Sequence, residues 1–182
     1  MIGDETIRHV EAKPRHFKDV RARQSVDVLL RTAQQQHMQL SMMADTKASI
    51  LITVSSIVLT IALSRAGDPQ LRAALLTLAF ACLLSLVLAI IAVLPAFSKK
   101  KGKRNFLFFG HFADMTEDEF MYAMEQILAT DEGVYEAAVR DLHSLGVYLY
   151  RKKYRYLRYA YVALLTGFIL ATIVEVYVLT FM

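Results

Sequence analysis

From Ala48 to Ser64 the chain runs seventeen residues without a formal charge, and no other feature narrows its possible folds so sharply. A helix of that length spans roughly 25 Å, slightly short of the ~30 Å hydrocarbon layer of a bilayer, so Lys47 and Arg65 can snorkel at its ends. Two further apolar runs follow, Ala73–Phe97 and Tyr159–Met182. The spacing predicts an all-α membrane protein with three transmembrane helices, the first and third continuing into a cytoplasmic helical bundle. A mean hydropathy of +0.36 over 182 residues agrees, since a soluble domain needs more charge to stay dispersed.

The polar residues of the first span are ordered. Asp45, Ser49, Thr53, Ser56, Thr60 and Ser64 recur at steps of three and four, which gathers them on one helix face. Two readings of this hydroxyl stripe stay open and are compatible. In one, small hydroxyl residues let helices pack closely and bond across the contact. In the other, several copies bring the stripe around a wet axis.

Charge placement sets the expected topology. Residues 1–47 hold eight Lys/Arg and six Asp/Glu, and residues 98–158 hold eleven and nine. The connection 65–72 carries only Arg65, Arg72 and Asp68. By the positive-inside rule the N-terminus and the long central segment lie in the cytoplasm, with the C-terminus outside. Residues 1–31 are dense in charge, so no removable signal peptide is expected and the first span serves as its own insertion signal. The single cysteine, Cys82, falls within the second run and reads as a small packed residue.

In chain order, residues 1–16 read as irregular, 17–47 as a cytoplasmic amphipathic helix and 48–64 as the first span. A short outer loop at 65–72 leads to the second span at 73–97, a cytoplasmic helical region at 98–158 and the third span at 159–182. Val26, Leu29, Leu30, Ala33, His37, Leu40 and Ala44 give the first helix its apolar side, with His37 expected as a packed core histidine. Lys99 to Arg104 is a basic cluster suited to anchoring against anionic headgroups. Thr116 to Glu119 reads as a capping box opening a short helix, which Gly133 interrupts. Val134, Ala138, Leu142, Leu145 and Leu149 form the stripe of a last, long helix. Arg151 to Arg158, interleaved with tyrosines, make a basic aromatic collar at the membrane edge. Because the collar adjoins a span, nucleic acid is not expected as a partner. Glu175 is the one ionisable residue well inside a span, and a carboxyl at that depth is costly enough to be a functional candidate.

No catalytic or metal constellation stands out: there is no Gly-rich phosphate loop, no paired cysteine and no H-E-x-x-H. An enzyme is not expected. Asp45-Thr46-Lys47-Ala48-Ser49 opening an apolar helix, Phe108-Phe109-Gly110-His111 after the second run, and Lys153-Tyr154 leading through Leu157 and Ala160 into the third carry a resemblance. Over roughly residues 25 to 180 the chain resembles the membrane effector family of the Pycsar anti-phage systems, most specifically at Asp45, Lys47 and Ala48.

The resemblance implies a multi-pass bacterial inner-membrane protein that answers cUMP or cCMP made by a partner nucleotidyl cyclase during infection. It then impairs the membrane, causing abortive infection. On that reading the protein is a homo-oligomer in the lipid bilayer, with Asp45, Lys47 and Ser49 at a gate and Thr53, Ser56 and Thr60 along the stripe. Phe109, His111, Lys153, Tyr154 and Arg155 are its expected nucleotide contacts. Two other classes remain open: a non-conducting adaptor that binds a protein partner, and a small channel or transporter subunit using Glu175.

Overall fold

The computed structural model describes Phe17, residues 21–94, 105–108, 112–113 and 115–181. Among these residues there are no strands and five α-helices: α1 (Gln24–Arg65), α2 (Arg72–Val93), α3 (Glu117–Leu128), α4 (Asp131–Tyr148) and α5 (Arg155–Phe181). A π-helical segment, Leu149–Tyr154, joins α4 to α5. Three helices are long and apolar enough to cross a membrane: Gln24–Arg65, Arg72–Val93 and the continuous Asp131–Phe181. Only 11–28% of the most apolar stretch of each is buried, which leaves residues such as Ile57, Phe80 and Ile173 facing outward. Such a surface requires lipid, and the protein is an all-α membrane protein.

The first helix begins at Gln24 rather than at residue 17, because Arg21–Arg23 are not helical. Cations are unfavourable at the positive end of a helix dipole, whereas Asp27 in the first turn suits it. Once begun, α1 has no Pro or Gly to stop it before Gly67. The second helix ends at Val93, and Pro95 to Phe97 lie outside the described residues, as do Pro14 and the Lys99 to Arg104 cluster.

The described residues form two compact units. One takes the residues up to Leu30 and those from Asn105 to Asp141. Thr116 caps α3 through a reciprocal box: its hydroxyl accepts from the Glu119 N–H, and the Glu119 carboxylate accepts from the Thr116 N–H at 3.1 Å. The break between α3 and α4 falls at Ala129–Thr130, before Gly133. Thr130 Oγ1 accepts from the Gly133 N–H at 3.1 Å and so caps α4, placing the glycine inside the first turn. Gly133 is needed there because a Cβ would sit 2.5 Å from the Ile127 carbonyl oxygen. Tyr135 is buried and its hydroxyl donates to Asp27 at 2.9 Å. That hydrogen bond, with burial, pushes the phenol above its ordinary pKa.

The other unit takes Arg31 to Leu94 and Leu142 to Phe181. Its core is made of small residues. Ala44, Ala48, Leu51, Ser55 and Ala62 form the buried face of α1. Ala81, Cys82, Ser85, Ala89 and Ala92 are buried on α2, and Leu157, Ala160, Gly167 and Ala171 on α5. Most of them recur at steps of three, four or seven, the spacing of closely packed membrane helices, in which short side chains let backbones approach. The approach is close at Gly167, where an added Cβ would overlap the Ala81 methyl.

Of the helical stripes, Leu29 and Leu40 of α1 and Val134 of α4 are exposed, whereas Ala44 and Leu149 are buried. His37 is half-buried beside Gly146, and its Nδ1 has no hydrogen-bond partner.

Candidate functional site

The basic collar and the base of α1 meet at the π segment. Lys153 Nζ lies 2.7 Å from both carboxylate oxygens of Asp45 and donates to Ser41 Oγ at 2.8 Å. The lysine side chain is 10% exposed and the aspartate 42%, so the cation is nearly dry while the anion keeps contact with solvent. A buried ammonium is tolerated only when paired and hydrogen-bonded, and this one meets both conditions.

Its neighbours are equally committed. Lys152 Nζ donates to the Leu94 carbonyl at 3.0 Å, just beyond α2, where a cation complements the negative end of the helix dipole. The Tyr154 hydroxyl donates to the Leu40 carbonyl at 3.1 Å. Three successive side chains thus tie one segment to both other apolar helices. The helix is locally widened along this segment, and Leu149, Lys153 and Leu157 are buried there.

Lys47 is exposed, and its carbonyl accepts from the Tyr161 hydroxyl at 3.4 Å. Arg155 is exposed and lies over the Tyr156 ring, 5.7 Å from its centroid. Phe109 and His111 lie outside the described residues. Asp45 and Lys153, expected in separate roles, are therefore brought together.

Higher along α1, the hydroxyl stripe turns away from the packed face. Ser49, Thr53 and Thr60 are exposed and Ser56 half-buried, and each hydroxyl donates to a carbonyl four residues earlier in its own helix. The stripe is thereby internally satisfied and remains outside the packing of its own chain.

Across the packed face lies a hydroxyl pair that the stripe pattern missed. Ser55 Oγ donates to Ser85 Oγ at 3.4 Å, and Ser85 Oγ donates to the Ala160 carbonyl at 2.9 Å, linking α1, α2 and α5. Both serines are fully buried. The available signal was the run of small residues Ala44, Ala48, Ser55 and Ala62 at helical spacing.

Glu175 borders a cavity of about 270 Å³ whose walls include Leu71, Leu75, Leu78 and Phe168, and its buried Oε2 has no hydrogen-bond partner. Among the described residues no group of three or more His, Cys, Asp or Glu gathers as a metal site would require.

No curated protein and no solved structure matched the chain. The family described as the Pycsar effector protein domain matches residues 28–180, a span that contains the Asp45–Lys153 pair, the hydroxyl stripe and all but the end residues of the three apolar helices. The chain belongs to this Pycsar effector family.

Proposed function

We propose that this anti-phage effector sits in the bacterial inner membrane as a homo-oligomer and is switched by cUMP or cCMP from a partner cyclase to impair membrane integrity. The N-terminus and the charged central region would face the cytoplasm, where that signal is made, with the C-terminus outside, as the distribution of Lys and Arg favours. Cell death before phage release would follow from loss of the ion barrier.

The observation that carries this reading is the outward-facing stripe Ser49, Thr53, Ser56 and Thr60 on α1. A face that is polar, narrow and unused within its own chain suits a helix that lines a wet path between copies. At the foot of the same helix, the Asp45–Lys153 pair fixes α1 against the π segment. A ligand can move such a lock only by binding one arrangement more tightly than the other.

The test is propidium uptake in cells that express the chain together with a pyrimidine nucleotide cyclase. Uptake that needs both proteins and an active cyclase supports the reading. Intact membranes in cells that accumulate the nucleotide and carry inserted effector would refute it.

A further inference from the structure

Asn105, Phe106, Met115 and residues of α3 and α4 line an open cavity of about 640 Å³, within the roughly 300–1,000 Å³ typical of small-molecule sites. We propose that this cavity is where the protein binds a nucleoside 3′,5′-cyclic monophosphate, an inference that rests on the functional reading above.

Such a ligand offers a monoanionic phosphate, a free ribose 2′-hydroxyl and a flat base with a polar edge. The cavity holds a complement to each. Among the described residues, Arg140 is the only cation in its lining, and Glu136, one turn earlier on α4, accepts a hydrogen bond from it. A guanidinium has five N–H donors, so Glu136 orients Arg140 and still leaves donors for a phosphate. The same carboxylate can accept from a 2′-hydroxyl. Tyr122, 66% exposed, and Phe106 supply aromatic faces on which a base can stack, and Gln126 carries both a donor and an acceptor for its edge.

The third charge, Glu119, is already engaged: it closes the α3 capping box at the positive end of that helix. The walls are held by buried groups. Asn105 is buried, its Nδ2 donates to Asp141 at 2.9 Å, and its Oδ1 accepts from the Leu107 N–H at 3.1 Å, fixing the turn that carries Phe106. At the collar, by contrast, Lys153 and Tyr154 are committed to α1.

The test is calorimetric titration of the full chain in nanodiscs with cUMP and cCMP, with 5′-UMP and inorganic phosphate as separate arms. Arg140→Gln and Tyr122→Ala should each raise Kd about tenfold or more, the effect of losing one charged or stacking contact. Arg158→Gln, on the exposed collar, should leave it unchanged. Tyr122 lies at the exposed mouth, so its variant keeps the test informative should Arg140→Gln fail to fold. Tight cyclic-nucleotide binding unchanged in both folded cavity variants would overturn the site while leaving the functional reading standing. Equal affinity for 5′-UMP or phosphate would also overturn it, as a general anion site. No binding of either cyclic pyrimidine nucleotide by folded wild type would overturn the functional reading itself.

Discussion

Lys153 is a buried cation whose charge is met by Asp45. Asp45→Ala strands a nearly dry ammonium with only Ser41 beside it, and an unsatisfied buried polar group costs about 1–3 kcal/mol, more when charged. Lys153→Met removes the cation and leaves a carboxylate that is 42% exposed and can be hydrated. Thermal unfolding in nanodiscs should therefore rank Asp45→Ala as more destabilising than Lys153→Met; the reverse order would contradict the pairing. Tyr135 gives a pH dependence of known sign. Its raised phenol pKa contributes stability that is complete below the ordinary tyrosine value of about 10 and is lost as pH rises through the raised one. Alkaline melting of the wild type should show that loss, and Tyr135→Phe should abolish it.

Among the elements, α2 and α5 are in tight contact at Gly167 against Ala81. Gly167→Ala should cost about 1–3 kcal/mol by overpacking, even though alanine is the better helix former. Ser85→Ala should cost less, about 0.6 kcal/mol, the average for a side-chain hydrogen bond between membrane helices. Comparing the two by unfolding in detergent separates packing from hydrogen bonding as the main tie. These elements were unequally legible in the sequence. Uncharged runs declare apolar helices by length, and Thr116–Glu119 declares a cap because both partners lie within one turn. The break before α4 falls ahead of Gly133, since that glycine marks a close approach to Ile127 while Thr130 provides the cap. The π segment was not legible: consecutive residues Lys152, Lys153 and Tyr154 read as a collar until Leu94, Asp45 and Leu40 supply their partners. Ser55 was missed for a similar reason, since its role depends on Ser85 of another helix.

At the scale of the whole molecule, two faces of α1 divide the work. Ala44, Ala48, Leu51 and Ser55 hold the chain together, and Ser49, Thr53, Ser56 and Thr60 are left for contacts beyond it. If the stripe lines a wet path between copies, Thr53→Leu with Ser56→Leu should suppress membrane leakage several-fold and leave cyclic-nucleotide affinity unchanged, because neither side chain packs in the core. Loss of binding together with leakage would instead tie the stripe to folding. On the proposed function, a cyclic pyrimidine nucleotide alone converts this membrane protein from silent to permeabilising. Dye-loaded liposomes carrying the purified chain, titrated separately with cUMP, cCMP, cAMP and cGMP, test it most directly. Release is expected with at least one pyrimidine nucleotide and none with the two purines. Silence with all four, from protein verified as folded and inserted, would contradict it.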